Sequence, residues 1–275
     1  MRANTLLIIG ATGKTGSRIA SRLEEKGLPV RRGSRGAAIP FDWDKPETWA
    51  AALEGVSAAY VSYFPDIAFP GAVDQVDAFT KLAKDVGVEK LVLLTGRGEA
   101  HAQRAEEVVR KAGLRFTIVR AAWFAQNFSE GALHGPVMAG VLPMPGGDVK
   151  EPIVDVDDIA DVAVAALTED GHDGELYDVT GPELLTFADM AQQLSGAIGR
   201  PIEHQAISFE EFHGELARAN GEMIADIITQ IARETLDGRN ARLADGVQRA
   251  LGRPPRPFAD YAQNAATAGA WSAAA

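Results

Sequence analysis

The 275-residue sequence predicts an α/β protein in which a doubly wound parallel sheet is joined to a smaller, mostly helical C-terminal lobe. Three observations predict this fold class. Strand-like and helix-like runs alternate through the first half of the chain, as a parallel sheet covered on both faces requires. A glycine-rich turn follows the first strand-like run directly. Two consecutive helical segments beyond residue 200 resemble a separate cap.

The glycine-rich turn joins a predicted strand at residues 5–9 to a predicted helix at 17–26. It consists of Gly10-Ala11-Thr12-Gly13-Lys14-Thr15-Gly16. Gly10 allows a sharp exit from the strand, Gly13 leaves room for a pyrophosphate, and Gly16 allows close packing of the helix. Because phosphates bind at the positive end of a helix dipole, this order predicts a Rossmann-type dinucleotide site. A turn that binds no ligand is the alternative.

The end of the second strand distinguishes NAD from NADP. An acidic side chain about 20 residues after the glycine loop holds the ribose of NAD, but this segment reads Arg31-Arg32-Gly33-Ser34-Arg35. Arginine matches phosphate geometry, so the segment predicts NADP(H) as the cofactor. Arg35, closest to the end of the strand, is the first candidate for the 2′-phosphate, and Arg32 is the second. Solvated surface arginines are the alternative.

The remaining elements continue the alternation of strand and helix. Strands are predicted at 58–62, 90–94 and 116–119, and helices at 72–86 and 100–112. A long surface loop is predicted at 133–147, because this stretch is rich in Gly, Pro and Met. A strand at 153–155 and a helix beginning near Asp157 would return the chain to the sheet. Helices at 209–220 and 223–235 would form the cap.

These elements divide the chain into two predicted domains. Residues 1–150 would form the NADP-binding domain, and residues 151–275 would return to the sheet and then form the substrate-binding cap. Ligands of open α/β sheets bind outside the carboxyl ends of the strands, so the substrate is expected between cap and sheet.

The carboxyl ends of three strands supply the other candidate site residues. They are Tyr63 and Phe64 after one strand, Thr95 and Gly96 at the next, and Trp123, Phe124 and Asn127 after the third. The nicotinamide ring is expected near Thr95 and Gly96, and the aromatic residues would wall an apolar pocket. Ordinary core packing is the alternative for each aromatic residue. The Asn127 amide is expected to be buried and bonded to backbone or to ligand.

Composition excludes several classes of function. The net charge of -11 disfavours nucleic acid as a partner, because phosphate binding needs a basic face. The absence of cysteine excludes disulfides and zinc-thiolate sites, and the five histidines lack the H-E-x-x-H spacing, so no metal is predicted. The apolar N-terminal run is too short for a membrane span, so a cytoplasmic monomer or homodimer with a small-molecule substrate is expected.

Several segments together resemble the NmrA-like group of atypical short-chain dehydrogenases/reductases. They are the glycine turn, Phe41-Asp42-Trp43-Asp44, Arg120 to Phe128, Val154 to Ala160, and Phe258 to Trp271. Within that group the chain looks most like the ergot-alkaloid branch of festuclavine synthases and agroclavine dehydrogenases. The resemblance implies that Asp42 and Trp43 lie beside the adenine. It also implies NADPH-dependent reduction of a C=N bond, a quinone or an enone.

The usual catalytic pair of the superfamily is absent from the sequence. Alignment of the helix after the Thr95 strand puts Ala100 at the tyrosine position and Arg104 at the lysine position. His101 and Tyr63 are the candidate proton donors in its place, and a solvent-exposed histidine is the alternative for His101. The leading function is an NADPH-dependent reductase. An NADP(H)-binding redox sensor without turnover is the second hypothesis, and a non-redox enzyme on the same fold is the third.

Overall fold

Strands of the computed structural model form one large sheet and one small sheet within residues 5–272, which are the residues the structure describes. The strands are β1 (Thr5–Ile9), β2 (Val30–Gly33), β3 (Val56–Val61), β4 (Lys90–Gly96), β5 (Arg115–Ala121), β6 (Val141–Met144), β7 (Glu175–Val179) and β8 (Glu203–Ala206). The large sheet has the order β2-β1-β3-β4-β5-β7, and all neighbouring strands run parallel. β6 and β8 form a separate parallel pair.

Helices cover both faces of the large sheet and build the second lobe. They are α1 (Lys14–Glu25), α2 (Trp49–Leu53), α3 (Ala72–Asp85), α4 (Ala100–Lys111), α5 (Asn127–Glu130), α6 (His134–Ala139), α7 (Val156–Thr168), α8 (Phe187–Ile198), α9 (Phe209–Asn220), α10 (Glu222–Thr235), α11 (Gly246–Leu251) and α12 (Phe258–Thr267). No helix within residues 5–272 is both long enough and apolar enough to cross a membrane.

Alternating side chains of the buried strands create a hydrophobic core on each face of the large sheet. Leu6 and Ile8 of β1 pack in one core with residues of α1, α7 and α11. Leu7 and Ile9 point to the opposite face and pack in a second core with residues of α2, α3 and α4. A strand that is apolar on both sides is typical of a parallel sheet covered by helices. The predicted doubly wound α/β fold is therefore confirmed.

A third hydrophobic core holds the C-terminal lobe together. Its members come from α8, α9, α10 and α12, and also from α6 and β6, which precede residue 150 in the chain. Conversely, α7 and β7 follow residue 150 and belong to the large sheet unit. The lobe is mostly helical, as predicted, and the chain passes between the two units on both sides of residue 150. The domain boundary at 150 stays a prediction.

The predicted surface loop at 133–147 is wrong, because this stretch contains α6 and β6. Pro136 lies in the first turn of α6, where its missing N–H costs no helical hydrogen bond. Gly140 ends the helix in the left-handed region with φ 80°. β6 then pairs with β8, about 60 residues later in the chain, so its partner is invisible in the local sequence.

The predicted strand at 153–155 is also wrong. Val154 forms one isolated bridge with Phe124 and joins no strand of the large sheet. Asp155 accepts a hydrogen bond from the backbone N–H of Asp157 and caps α7, which begins at Val156. The sixth strand of the large sheet is instead β7, a segment for which no strand is predicted from the sequence.

Candidate functional site

A cavity of about 1440 Å³ opens along the carboxyl ends of the sheet strands. Its walls include the turns that follow β1, β2, β3, β4 and β5, and residues of α6, α9 and α10 in the C-terminal lobe. Ligands of open α/β sheets bind at this edge, outside the strand ends. The volume exceeds the roughly 300–1000 Å³ of an ordinary ligand pocket, so a cofactor and an acceptor have room side by side.

The glycine turn forms one wall of this cavity. Gly10 adopts φ 74°, which turns the chain sharply out of β1. A Cβ placed on Gly16 would lie 2.3 Å from the carbonyl oxygen of Gly10, so only glycine allows this close approach. α1 begins at Lys14 and directs its N-terminus toward the cavity. The turn therefore fits a pyrophosphate, which binds where backbone N–H groups and the helix dipole meet.

Five of the six predicted contacts in the turn line the cavity. They are Gly10, Thr12, Gly13, Lys14 and Thr15. Gly16 lies behind them, and its role is the close packing described above. The Thr15 hydroxyl accepts a hydrogen bond of 2.9 Å from the buried Tyr60 hydroxyl, whose pKa is raised by burial. Burial lowers the pKa of the Lys14 ammonium, whereas the nearby Glu130 opposes this shift.

The three arginines in and directly after β2 have different surroundings. Arg35 lines the cavity, and its guanidinium carbon lies 5.2 Å from the centre of the Phe64 ring. Arg32 is outside the cavity wall and forms an ion pair of 2.7 Å with Glu24 on α1. Arg31 donates hydrogen bonds to backbone carbonyls around the end of α2. The structure thus brings Arg35 to the site and does not bring Arg32 there.

Asp42 and Trp43 line the cavity together with Arg35. The two residues that the family resemblance implies beside the adenine are therefore part of the same wall. The Trp43 indole N–H donates to the carbonyl oxygen of Ser62 at 3.1 Å. Its ring packs edge-on against Phe41 at a centroid distance of 5.1 Å. The hydrogen bond and the ring contact together fix the orientation of the indole, and its ring makes this part of the cavity wall apolar.

The turn after β3 adds Tyr63 and Phe64. The Tyr63 hydroxyl donates to the side-chain oxygen of Gln75 at 2.8 Å, and burial raises the pKa of this phenol. Its ring lies 4.9 Å from that of Trp43. Phe64 is 62% exposed, so it forms part of the cavity mouth and not of a packed core.

Thr95 and Gly96 line the cavity at the end of β4. The Thr95 hydroxyl donates to the carboxylate of buried Glu106 at 2.8 Å. Arg120 holds the same carboxylate with two hydrogen bonds of 2.9 and 2.5 Å. The ion pair of Glu106 and Arg120 thus holds the Thr95 side chain in place at the end of β4, where it lines the floor of the main cavity.

The remaining predicted substrate contacts follow β5. Trp123, Phe124 and Asn127 all line the cavity. The Trp123 indole N–H donates to the Thr235 hydroxyl of α10 at 3.1 Å, which joins the sheet unit to the lobe. Asn127 is half-buried, whereas the sequence predicts a buried amide.

His101 does not line the main cavity. It faces a second cavity of about 710 Å³, which lies among α4, α9 and α10 and also contains His213 and Asp226. Ala100 and Arg104, which the sequence alignment predicts at the usual tyrosine and lysine positions, are exposed, and neither belongs to the wall of the main cavity. Of the two predicted proton donors, the structure therefore brings only Tyr63 to the main cavity.

Sequence reasoning missed several charged residues on the cavity wall, among them Asp66, Arg97 and Glu99. Arg97 is buried, lies 2.8 Å from the Asp178 carboxylate and donates to the carbonyl oxygen of Asn240 at 2.7 Å. Burial raises the pKa of the Glu99 carboxyl to about 8, and Asp66 and Glu234 add to the shift. An acidic residue just before a helix, as Glu99 is, ordinarily suggests a helix cap. The sequence pattern therefore gives no signal that the Glu99 side chain lines a cavity.

The comparison with protein families agrees with the geometry of the glycine turn. A family described as NAD(P)H-binding matches residues 10–170, which is more than half of the chain. The chain belongs to this NAD(P)H-binding family. The predicted cofactor class is thereby confirmed.

Known relatives of this NAD(P)H-binding protein extend over nearly its whole length. The NAD(P)H azoreductase of Xenophilus azovorans is 33% identical, across 96% of this chain and 98% of its own length. Festuclavine synthase II of Penicillium roqueforti is 30% identical, across 94% of this chain and 98% of its own. The predicted resemblance to the NmrA-like group and its ergot-alkaloid branch is confirmed. The chain thus belongs to a group of NAD(P)H-dependent oxidoreductases.

Solved structures share the fold. Triphenylmethane reductase of Citrobacter sp., solved with NADP(H), superposes with a TM-score of 0.74 at 23% identity. The superposition covers 95% of this chain and 99% of that protein. At this level of identity the likeness concerns the fold alone.

Proposed function

We propose that this NAD(P)H-binding protein is an NADPH-dependent reductase that delivers hydride to an apolar conjugated or iminium acceptor, without the usual Tyr/Lys pair. One observation carries the proposal. A single cavity is lined by the glycine turn, which suits a pyrophosphate, and by aromatic residues of the strand ends, which suit a flat acceptor. An imine, a quinone, an enone or an azo compound has this character.

Different residues along the cavity would bind the different parts of NADPH. The turn from Gly10 to Thr15 would bind the pyrophosphate, and Arg35 would bind the 2′-phosphate. Asp42 and Trp43 would flank the adenine. The nicotinamide would lie near Thr95 and Gly96, and the bound cofactor would supply the hydride there.

The acceptor would lie against Tyr63, Phe64, Trp123 and Phe124, with Asn127 as a polar contact. Aromatic walls exclude water and orient a flat molecule for hydride transfer. An iminium acceptor carries a positive charge and becomes neutral after hydride addition, so it needs no proton donor. A quinone or an azo group needs a proton as well, and general acid catalysis is worth roughly 10²- to 10⁴-fold in rate.

The test is NADPH oxidation by the purified protein, followed at the absorbance of NADPH. The panel contains a quinone, an azo dye, a cyclic imine and an activated alkene, and each is measured again with NADH. Turnover with at least one acceptor supports the reductase. Tight NADPH binding without turnover across the panel contradicts it.

An NADP(H)-binding redox sensor is the second candidate. The exposed positions of Ala100 and Arg104 support it, because these residues are predicted at the positions of the usual catalytic pair. A sensor would bind NADPH and NADP⁺ with different affinities and consume neither. Isothermal titration with each form, beside the turnover panel, separates the two functions.

A further inference from the structure

Glu99 occupies an unusual position for an acidic residue at the start of a helix. It is the N-cap residue of α4, but its side chain forms no capping hydrogen bond. The carboxyl instead lies against Gly96, where a Cβ would be only 1.8 Å from the Glu99 Oε1 atom. Glycine at position 96 therefore makes room for this carboxyl on the floor of the main cavity.

The Glu99 carboxyl is almost completely buried. The residue is 8% exposed, and its Oε2 atom has no hydrogen-bond partner among the described residues. Buried polar atoms are ordinarily paired, so this unpaired oxygen is an exception, and the residue that carries it lines the main cavity. An unpaired buried carboxyl avoids charge by keeping its proton, and a protonated carboxyl is a hydrogen-bond donor.

Glu99 also lines the second cavity, and so does Ile231 of α10. These two residues are common to both cavities. The second cavity contains the ionisable side chains of His101, His213 and Asp226. A proton that leaves Glu99 toward the main cavity is therefore replaceable from the opposite side, where titratable groups lie.

We propose that Glu99 is the general acid of the reductase and donates a proton to neutral acceptors from the floor of the main cavity. This inference rests on the proposed function. In the step, hydride adds to one atom of the acceptor double bond, and the π electrons move to the other atom. That atom takes the proton of the Glu99 carboxyl, and the carboxylate left behind is reprotonated from water through the second cavity.

The turnover test uses two acceptors that differ in their need for a proton. A quinone needs both hydride and a proton, whereas a cationic triphenylmethane dye becomes neutral with hydride alone. Glu99→Gln keeps the shape of the protonated side chain but has no acidic proton. We expect this variant to lose 10²- to 10⁴-fold in kcat for the quinone and to keep its rate with the cationic dye. Equal quinone rates for Glu99→Gln and wild type would overturn the assignment.

Glu107→Gln is the matched control, because Glu107 is an exposed glutamate on the same helix. It should leave both rates unchanged. Glu99→Ala provides a second test if Glu99→Gln folds poorly. Added formate, a small carboxylic acid, should partly restore quinone reduction by Glu99→Ala, and no restoration contradicts the role. Wild-type protein that reduces neither acceptor contradicts the proposed function itself, which is a different outcome.

A readout independent of turnover is the infrared C=O band of protonated carboxyls. The difference between wild type and Glu99→Gln isolates this residue, and its band should disappear near pH 8, where the carboxyl ionises. The charged or titratable groups around it are Asp66, Arg97, His101, Glu234 and Arg239. A carboxyl already ionised at pH 6 would contradict the proposal.

Discussion

Arg35 and Arg32 carry the same charge, but their partners give them different roles. The guanidinium of Arg35 lines the cavity and has Phe64 as its neighbour, whereas Arg32 is paired with Glu24 on α1. A phosphate can bind Arg35 without displacing an existing ion pair. At Arg32 it would first have to replace a carboxylate.

We expect Arg35→Ala to weaken NADPH binding by about 10- to 100-fold, because a hydrogen bond to a charged group contributes about 1.5–3 kcal/mol. NADH lacks the 2′-phosphate, so its affinity should change little. Fluorescence titration with both cofactors checks this. Arg32→Ala is the matched control and should leave both affinities unchanged. Equal losses for NADPH and NADH in Arg35→Ala would contradict the 2′-phosphate assignment.

Site residues with a local sequence signal could be predicted, and the others could not. The spacing of the glycine turn and the charge of the arginines in and after β2 indicate their chemistry from the sequence alone. Glu99 has the same sequence context as an ordinary helix cap. Its side chain lies in the cavity wall because Gly96, which has no side chain, leaves space for it. Likewise, nothing local indicates that His101 faces the second cavity rather than the main one.

At the scale of elements, the turn between β1 and α1 depends on the approach of one backbone segment to another. A Cβ on Gly16 would lie 2.3 Å from the oxygen of Gly10, 2.6 Å from its carbonyl carbon and 3.0 Å from the nitrogen of Ala11. All three neighbours are backbone atoms. They cannot rotate away as a side chain does, so the turn itself would have to shift.

Gly16→Ala should therefore distort the part of the cavity wall that the glycine turn forms, and it should destabilise the fold by about 1–3 kcal/mol, the usual cost of overpacking. NADPH affinity should fall at least tenfold. Gly196→Ala on α8 is the control, because a Cβ there meets no atom within 4 Å. It should keep NADPH affinity and gain up to about 1 kcal/mol from helix propensity. Unfolding in urea and cofactor titration measure both effects, and unchanged binding in Gly16→Ala would contradict the account.

Elements with a strong local pattern were predictable to within a few residues. β3, β4 and β5 are apolar runs, and α9 and α10 carry regular helical patterns. β7 gives a weak signal because it is an edge strand with only alternate residues buried, and β6 depends on its distant partner β8. Edge strands and long-range pairs take their stability from tertiary contacts, which no local window contains.

At the scale of the whole molecule, buried acids connect stability to pH. Glu151 is fully buried, and neither of its carboxylate oxygens has a hydrogen-bond partner among the described residues. Burial raises its pKa to about 8, with Arg97 opposing and Asp237 adding to the shift. The folded protein therefore binds more protons than the unfolded chain between about pH 4.5 and 8, so the free energy of unfolding falls as pH rises through this window.

Glu151→Gln should remove this contribution. The variant should match wild type near pH 5 and exceed it by up to about 5 kcal/mol at pH 9, since each pKa unit between 4.5 and about 8 corresponds to about 1.4 kcal/mol. Urea unfolding at a series of pH values measures the difference. The exposed Glu203 provides the control, because Glu203→Gln should shift the whole curve without changing its slope. A wild-type stability that rises between pH 5 and 8 would contradict the role of Glu151.

The position of the tryptophans has a practical consequence. Of the four indoles, Trp43 and Trp123 line the main cavity, and Trp43 also packs against Trp49 in a hydrophobic core, whereas Trp49 and Trp271 are not part of the cavity wall. Their emission should therefore divide into a part that senses occupancy and a constant background. Trp43→Phe would leave Trp123 as the indole in the cavity wall, at the proposed position of the acceptor, and Trp123→Phe would leave Trp43, at the proposed position of the adenine. The molecule thus carries a built-in optical probe for each ligand.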